Sequence, residues 1–241
     1  MKQVRLLLLR HGECEGGAIL RGRVDVPLSK KGWQQMSAAV ESQASVCSAI
    51  YSSTSRRCAD FAHAFAAELH STAALISESR PLQAQCLSGL QEIDFGDWDG
   101  CRLDELYQQE GERLAAYWQD PWQTPPPNGE TMASFELRVN GTIDQILAAE
   151  FERLTLDSHK IGNENSAVNE TTDNMPATQV WVVTHGGVIR HLIARALGVE
   201  RAVGFYSQLD LPVAAVVTIN VLQDEQGACY WRLDWPSGRR C

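Results

Sequence analysis

The sequence predicts an α/β fold of three layers, α/β/α, built on a doubly wound, mostly parallel sheet with helices on both faces. Three observations carry this. Two short apolar runs, QVRLLLL at 3–9 and QVWVVT at 179–184, have the character of strands buried on both faces; the first ends abruptly in Arg-His-Gly and the second in His-Gly-Gly. Strand-like and helical segments alternate at the start of the chain and again over 179–197. Two late runs, VAAVVTINVL at 213–222 and ACYWRLDW at 228–235, alternate in strand fashion. No linker or internal repeat interrupts the 241 residues, so a single domain over 1–241 is expected.

The elements follow in order. After the first strand a glycine-rich loop runs through Gly12, Gly16, Gly17 and Gly22, and Ser29 caps a helix whose buried stripe is Trp33, Met36, Ala39 and Val40. A second strand is predicted over 46–51 and an alanine-rich helix over 56–69, with Phe61, Phe65 and Leu69 turned inward every four residues. A short strand near Leu82–Cys86 leads into LSGLQEIDFGDWDG. Helices are expected over 102–118 and 131–151, separated by a proline-rich stretch from Pro121 to Pro127. Residues 155–178 offer little that could form a core and read as a polar excursion from the domain. The strand at 179–184 feeds a helix that stops at Gly198.

Composition narrows the partners. The formal charge of −9 disfavours a chain that wraps nucleic acid or lies on an anionic membrane, both of which need a positive field. No window approaches the roughly 18 apolar residues of a membrane span, and the first residues lack a secretory leader's apolar core. Seven cysteines, an odd number with no CxxC pair, suit reduced thiols in a cytoplasmic protein. Composition favours neither a monomer nor a homodimer. The acidic envelope leaves room for a small anionic ligand wherever a few arginines converge.

Such convergence is expected at one edge. In a doubly wound sheet the ligand lies beyond the carboxyl ends of the parallel strands, and His11 and His185 end two of them, each followed by glycine. Arg10 adjoins His11, Arg57 lies early in the helix after the second strand, and a helix starts beyond His185. Guanidinium forks, imidazoles and helix-end amides suit phosphate. A metal would need a third ligand, and the spacing from His185 to His191 does not supply one; His191 is expected to point along its helix away from the pocket. A histidine that attacks phosphorus needs a carboxylate partner to protonate the leaving oxygen. Glu92, between apolar neighbours, is the candidate.

These residues fall into recognisable blocks: Arg10-His11-Gly12-Glu13, Ser52-Ser53 followed by Arg57-Cys58-Ala59, Leu90-x-Glu92-Ile-Asp94-Phe95-Gly96-x-Trp98, and Val183-Thr184-His185-Gly186-Gly187-Val188-Ile189-Arg190. In this order they resemble the histidine phosphatase superfamily, the phosphoglycerate-mutase-like fold. The resemblance implies a phosphohistidine at His11, phosphate binding by Arg10, Arg57 and His185, and acid/base work by Glu92, with neither metal nor cofactor and a small phosphorylated substrate as the only partner. Spacing from Ser52-Ser53 selects Arg57 over Arg56. Arg23, Cys14 and Gly186 become candidates for substrate positioning. Cys14 and Gly17 depart from the serine or threonine and the asparagine of many members. Softer markers, Arg21-Gly-Arg23-x-Asp25-x-Pro27-Leu28, IDFGDWDG and Tyr117-Trp118-x-Asp120-Pro121, resemble the alpha-ribazole phosphatase branch. Glu92-Ile93-Asp94-Phe95 lacks the basic character of the mutases at that block.

Overall fold

The computed structural model describes residues 1–43, 47–74, 82–161 and 178–234. A six-stranded mixed sheet forms the middle layer. Its strands are β1 (Lys2–Arg10), β2 (Cys47–Ser53), β3 (Ala84–Leu87), β4 (Thr178–Thr184), β5 (Val216–Gln223) and β6 (Cys229–Asp234), in the order β3-β2-β4-β1-β5-β6. The first four are mutually parallel; β5 runs antiparallel to both β1 and β6.

Strand alternation divides the core between the two faces. Leu6, Leu8, Val180 and Val182 point into one cluster; Leu7, Leu9, Trp181 and Val183 point into the other. This is the period of two expected of a strand, with both sets apolar because helices cover both sides. The second face carries α1 (Lys30–Glu41) and α2 (Arg56–Ala74), through Met36, Phe61 and Phe65. The first carries α3 (Leu103–Gln109), α4 (Gly111–Gln119), α5 (Met132–Ile161) and α6 (Gly186–Leu197), with the short α7 (Phe205–Gln208) beside them. Ser29 caps α1 by accepting the Gly32 N–H at 3.0 Å, and Gly198, at φ 68°, ends α6 in the left-handed conformation.

Three expectations change in detail. The single helix expected over 102–118 is two, because the chain breaks at Glu110-Gly111. The helix expected to end at 151 continues to Ile161, since Leu154 extends the inward stripe of Phe135, Val139, Ile143, Leu147 and Phe151 by another turn. The polar stretch begun at 155 therefore opens as helix, and its remainder, 162–177, lies outside the described residues. The third strand sits at Ala84–Leu87, two residues later than its first predicted residue.

Candidate active site

Sheet order brings the two histidines together. Chain order separates β1 from β4 by over 160 residues, yet they are neighbours, in register with Arg10 opposite Thr184. One residue further, His11 donates its backbone N–H to the Thr184 carbonyl at 2.9 Å, and the imidazoles of His11 and His185 meet edge to face at 5.4 Å. Both rings are buried.

The hydrogen bonds of His11 set its tautomer. Nδ1 lies 2.9 Å from the Gly12 carbonyl, an acceptor only, so Nδ1 carries the proton and Nε2 keeps its lone pair. Burial, then the Arg57 charge, holds the imidazole down to about 3, so it is neutral at pH 7. That is the state in which an imidazole can act as a nucleophile. Cys14 Sγ rests 3.5 Å from the same Nδ1 and donates to the same carbonyl. His185 Nε2 is hydrogen-bonded to Ser53 Oγ at 2.8 Å, and burial together with Arg57 also keeps this ring neutral.

Arg57 is fully buried. It spends Nη1 on the Val24 carbonyl and Nη2 on the Gly22 carbonyl, at 2.8 and 2.7 Å. Asp99 shapes that loop from beneath, accepting the N–H groups of Gly22, Arg23 and Val24 at 2.7, 2.6 and 2.8 Å. Arg10 gives Nη1 to the Leu211 carbonyl. The Nε–H groups of Arg10 and Arg57 are buried without an acceptor among the described residues, an arrangement that an anion would complete. Arg56 is exposed and pairs with Asp60.

Glu92 approaches from the other side. Its Oε2 accepts the Gly187 N–H at 2.9 Å, at the amino end of α6, and its Oε1 accepts the Ile93 N–H at 3.0 Å. A side chain at Gly187 would overlap Glu92 Oε1, so glycine there is what lets the carboxylate reach the helix end. A Cβ at Gly186 would stand 3.0 Å from Arg190 Nη1 and 3.4 Å from Arg10 Nε, which places both guanidinium groups over this turn.

A cleft of about 220 Å³ opens beside this edge. Arg10, His11, Glu92, Gly186 and Gly187 form its polar floor, with Arg21 and Arg190 at the sides. Phe95, Tyr117, Trp118 and Tyr206 contribute an aromatic wall. Of the positioning candidates, Gly186 lines the cleft. Arg23 does not: its guanidinium is held by Gln91 Oε1 and faces Glu130 at 3.9 Å. Arg57 and His185 lie behind the floor, fully buried.

Asp99, Arg190 and the aromatic wall were not legible as site residues in the sequence. His191, expected away from the pocket, is buried, and its Nδ1 accepts the hydroxyl of cleft-lining Tyr206 at 3.0 Å while Nε2–H donates to Asn140 at 3.1 Å. No group of three His, Cys, Asp or Glu side chains among the described residues is arranged to hold a metal ion. Nor is any described helix long and apolar enough to cross a membrane.

The family model of the histidine phosphatase superfamily (branch 1) matches residues 6–161 and 164–233. The chain belongs to this superfamily. An adenosylcobalamin/alpha-ribazole phosphatase of Escherichia coli (strain K12) is 26% identical over 223 residues, 90% of this chain and 91% of that protein. Its counterpart in Salmonella typhimurium is 31% identical over 185 residues, 74% of this chain and 84% of that protein. The solved structure of a mycobacterial glucosyl-3-phosphoglycerate phosphatase superposes with a TM-score of 0.69 at 25% identity, covering 97% of this chain and 98% of that one. This histidine phosphatase is accordingly an enzyme, and its chemistry is phosphomonoester hydrolysis.

The buried imidazoles should make this histidine phosphatase acid-sensitive. His191 is held down to about 4 by burial, beside His11 at about 3 and His185 well below its ordinary value. The unfolded chain takes up these protons near pH 6.5, the folded chain only far below. Stability is therefore full above about pH 6.5 and falls with pH, by up to roughly 1.4 kcal/mol per pH unit for each such group. Urea unfolding at pH 7.5 and pH 5.0 should give a clearly lower midpoint at pH 5.0; equal midpoints would contradict the burial of neutral histidines.

Proposed function

We propose that the enzyme hydrolyses alpha-ribazole 5′-phosphate to alpha-ribazole and phosphate through a phosphohistidine at His11. The observation that carries the choice of substrate is the aromatic wall. Phe95, Tyr117, Trp118 and Tyr206 line the cleft that also holds His11 and Glu92, and such a surface favours an alcohol bearing a flat, largely apolar ring system. The activity for which the E. coli and Salmonella relatives are named supports the same reading.

In this reading His11 Nε2 attacks phosphorus in line with the ester oxygen. The N–P bond forms as the P–O bond breaks, and protonated Glu92 gives its proton to the departing alkoxide. Arg10 holds phosphoryl oxygens from the cleft floor; Arg57, whose Nη groups stay on the Val24 and Gly22 carbonyls and whose Nε–H is left over, and His185 act on them from behind it, with the α6 amino end adding positive potential. Glu92, now a carboxylate, takes a proton from water whose oxygen bonds phosphorus as the N–P bond breaks and its electron pair returns to His11 Nε2. Phosphate leaves, and His11 and protonated Glu92 are restored. Gly186 lets Arg10 lie close to the phosphoryl group, while Cys14 acts on substrate position through its contacts with the Gly12 carbonyl and with His11 Nδ1. In this reading one domain spans 1–241.

The test is a side-by-side measurement of kcat/KM on alpha-ribazole 5′-phosphate, p-nitrophenyl phosphate, phosphoserine and 3-phosphoglycerate. The first should exceed the others by at least about tenfold, the scale of one well-formed apolar contact. Similar values throughout would mark a broad-specificity phosphatase for small phosphomonoesters. Isomerised phosphoglycerate in place of free phosphate would mark a mutase.

A further inference from the structure

We infer that Arg138, on α5, is the positioning residue for the Glu92 carboxylate, an inference that rests on the acid/base reading of Glu92. The segment carrying Glu92 needs outside support. It leaves the sheet at Leu87, makes a single 3₁₀ turn over Ser88–Leu90 and continues extended, so neither a sheet ladder nor a long helix fixes it. Arg138 supplies the fixing. Its Nη1 donates to the carbonyls of Gly89 and Gln91 at 3.0 and 2.7 Å, and its Nη2 donates to that of Glu92 itself at 2.9 Å.

The guanidinium is held in its turn. Glu130 takes Nε–H at 2.6 Å and Nη2–H at 2.7 Å in a bidentate pair, with both side chains largely buried. The same glutamate residue donates its backbone N–H to the Asp94 carbonyl at 2.8 Å, so one ion pair grips the acid-bearing segment on both sides of Glu92. Thr184 Oγ1 adds a bond to the Leu90 carbonyl at 2.7 Å, from the strand end beside His185. A Cβ at Gly89 would overlap Thr142 of α5, four residues beyond Arg138, so the segment lies hard against that helix.

Among the described residues the carboxylate itself is held by two N–H groups, those of Ile93 and Gly187. Its distance from the leaving oxygen is therefore set by where the main chain of 89–92 stands, and Arg138 sets that. General acid catalysis works within a hydrogen bond's reach, and a shift of about 1 Å can cost about 10²-fold. Lysine cannot replace this arginine, because one ammonium cannot span three carbonyls and a bidentate carboxylate.

The experiment compares Arg138→Lys, Glu130→Gln, Glu92→Gln and the double variant Arg138→Lys/Glu92→Gln. Each is assayed on alpha-ribazole 5′-phosphate and on p-nitrophenyl phosphate, with inhibition by inorganic phosphate as the measure of binding. Arg138→Lys should lower kcat about 10–100-fold on the alkyl ester and less than about threefold in the first turnover of the nitrophenyl ester, whose leaving group needs little protonation. Glu130→Gln should give a smaller loss of the same kind, and inhibition by phosphate should be unchanged. The double variant should lose no more than Glu92→Gln alone, because both act through one carboxylate. Equal losses on the two esters, weakened phosphate inhibition or additive losses would overturn the role of Arg138. A Glu92→Gln variant with no leaving-group dependence would instead overturn the acid/base reading itself, and the two failures are separable.

Discussion

His11→Ala should lose turnover by at least about 10⁴-fold, the scale on which removing a nucleophile disables a cooperating site. The reason is geometric and electrostatic together. Nδ1–H is tied to the Gly12 carbonyl, the ring is neutral at pH 7, and Nε2 is the free lone pair beside the cleft. The neighbouring nucleophiles are less well prepared. The Cys14 thiol is pushed up by burial, and Cys58 further still, so neither supplies a thiolate. The Ser53 hydroxyl is engaged by His185 and accepts the Ser55 N–H. Wild-type enzyme quenched during turnover should carry acid-labile, base-stable phosphate, and peptide mapping should find it on His11. Phosphate on serine or cysteine, or a His11→Ala variant with residual activity within about tenfold of wild type, would refute the assignment.

Glu92→Gln should produce a loss that depends on the leaving group. The amide keeps the size of the side chain and an oxygen for the Gly187 N–H, giving up the acceptor for the Ile93 N–H, and no proton can be delivered. General acid catalysis contributes about 10²–10⁴-fold, and the loss on alpha-ribazole 5′-phosphate should fall in that range. With p-nitrophenyl phosphate the first step should suffer much less. Dephosphorylation still needs a base, so phosphohistidine should accumulate and appear as an initial burst of nitrophenol. Asp94→Asn and Asp97→Asn should leave this pattern nearly unchanged. Asp94 Oδ1 accepts the Gly96 N–H at 2.8 Å within its own turn, and Asp97 Oδ2 accepts from Asn128 at 2.9 Å on the exposed side. Rapid mixing of both substrates with all three variants decides the matter: a burst from Asp94→Asn and none from Glu92→Gln would transfer the role to Asp94.

Much of this site is legible in the amino-acid sequence, for reasons that are local. A leucine run that stops at Arg10-His11-Gly12 and a valine run that stops at His185-Gly186-Gly187 are strand ends, and parallel strands in an α/β sheet present those ends on one side. That logic reaches His11 and His185 without knowledge of which strands are neighbours. Helix extent is less legible where the signal is a stripe that fades gradually. The inward positions of α5 continue through Leu154, and the helix runs on into a segment whose composition is that of a loop.

Only the tertiary structure decided which way each arginine turned. Arg21 and Arg23 are two residues apart in one loop, yet Arg21 lines the cleft while Arg23 is drawn to Gln91 and Glu130. Arg56 and Arg57 are adjacent, yet helix geometry exposes one and buries the other against two carbonyls that Asp99 holds in place. The aromatic wall gathers residues 95, 117, 118 and 206 from three separate stretches, and Arg138 meets its carbonyls across nearly fifty positions of sequence. Periodicity in a sequence records which face of an element is buried. The partner of each long polar side chain depends instead on contacts between distant elements, and those exist only after the sheet has placed the strand ends side by side.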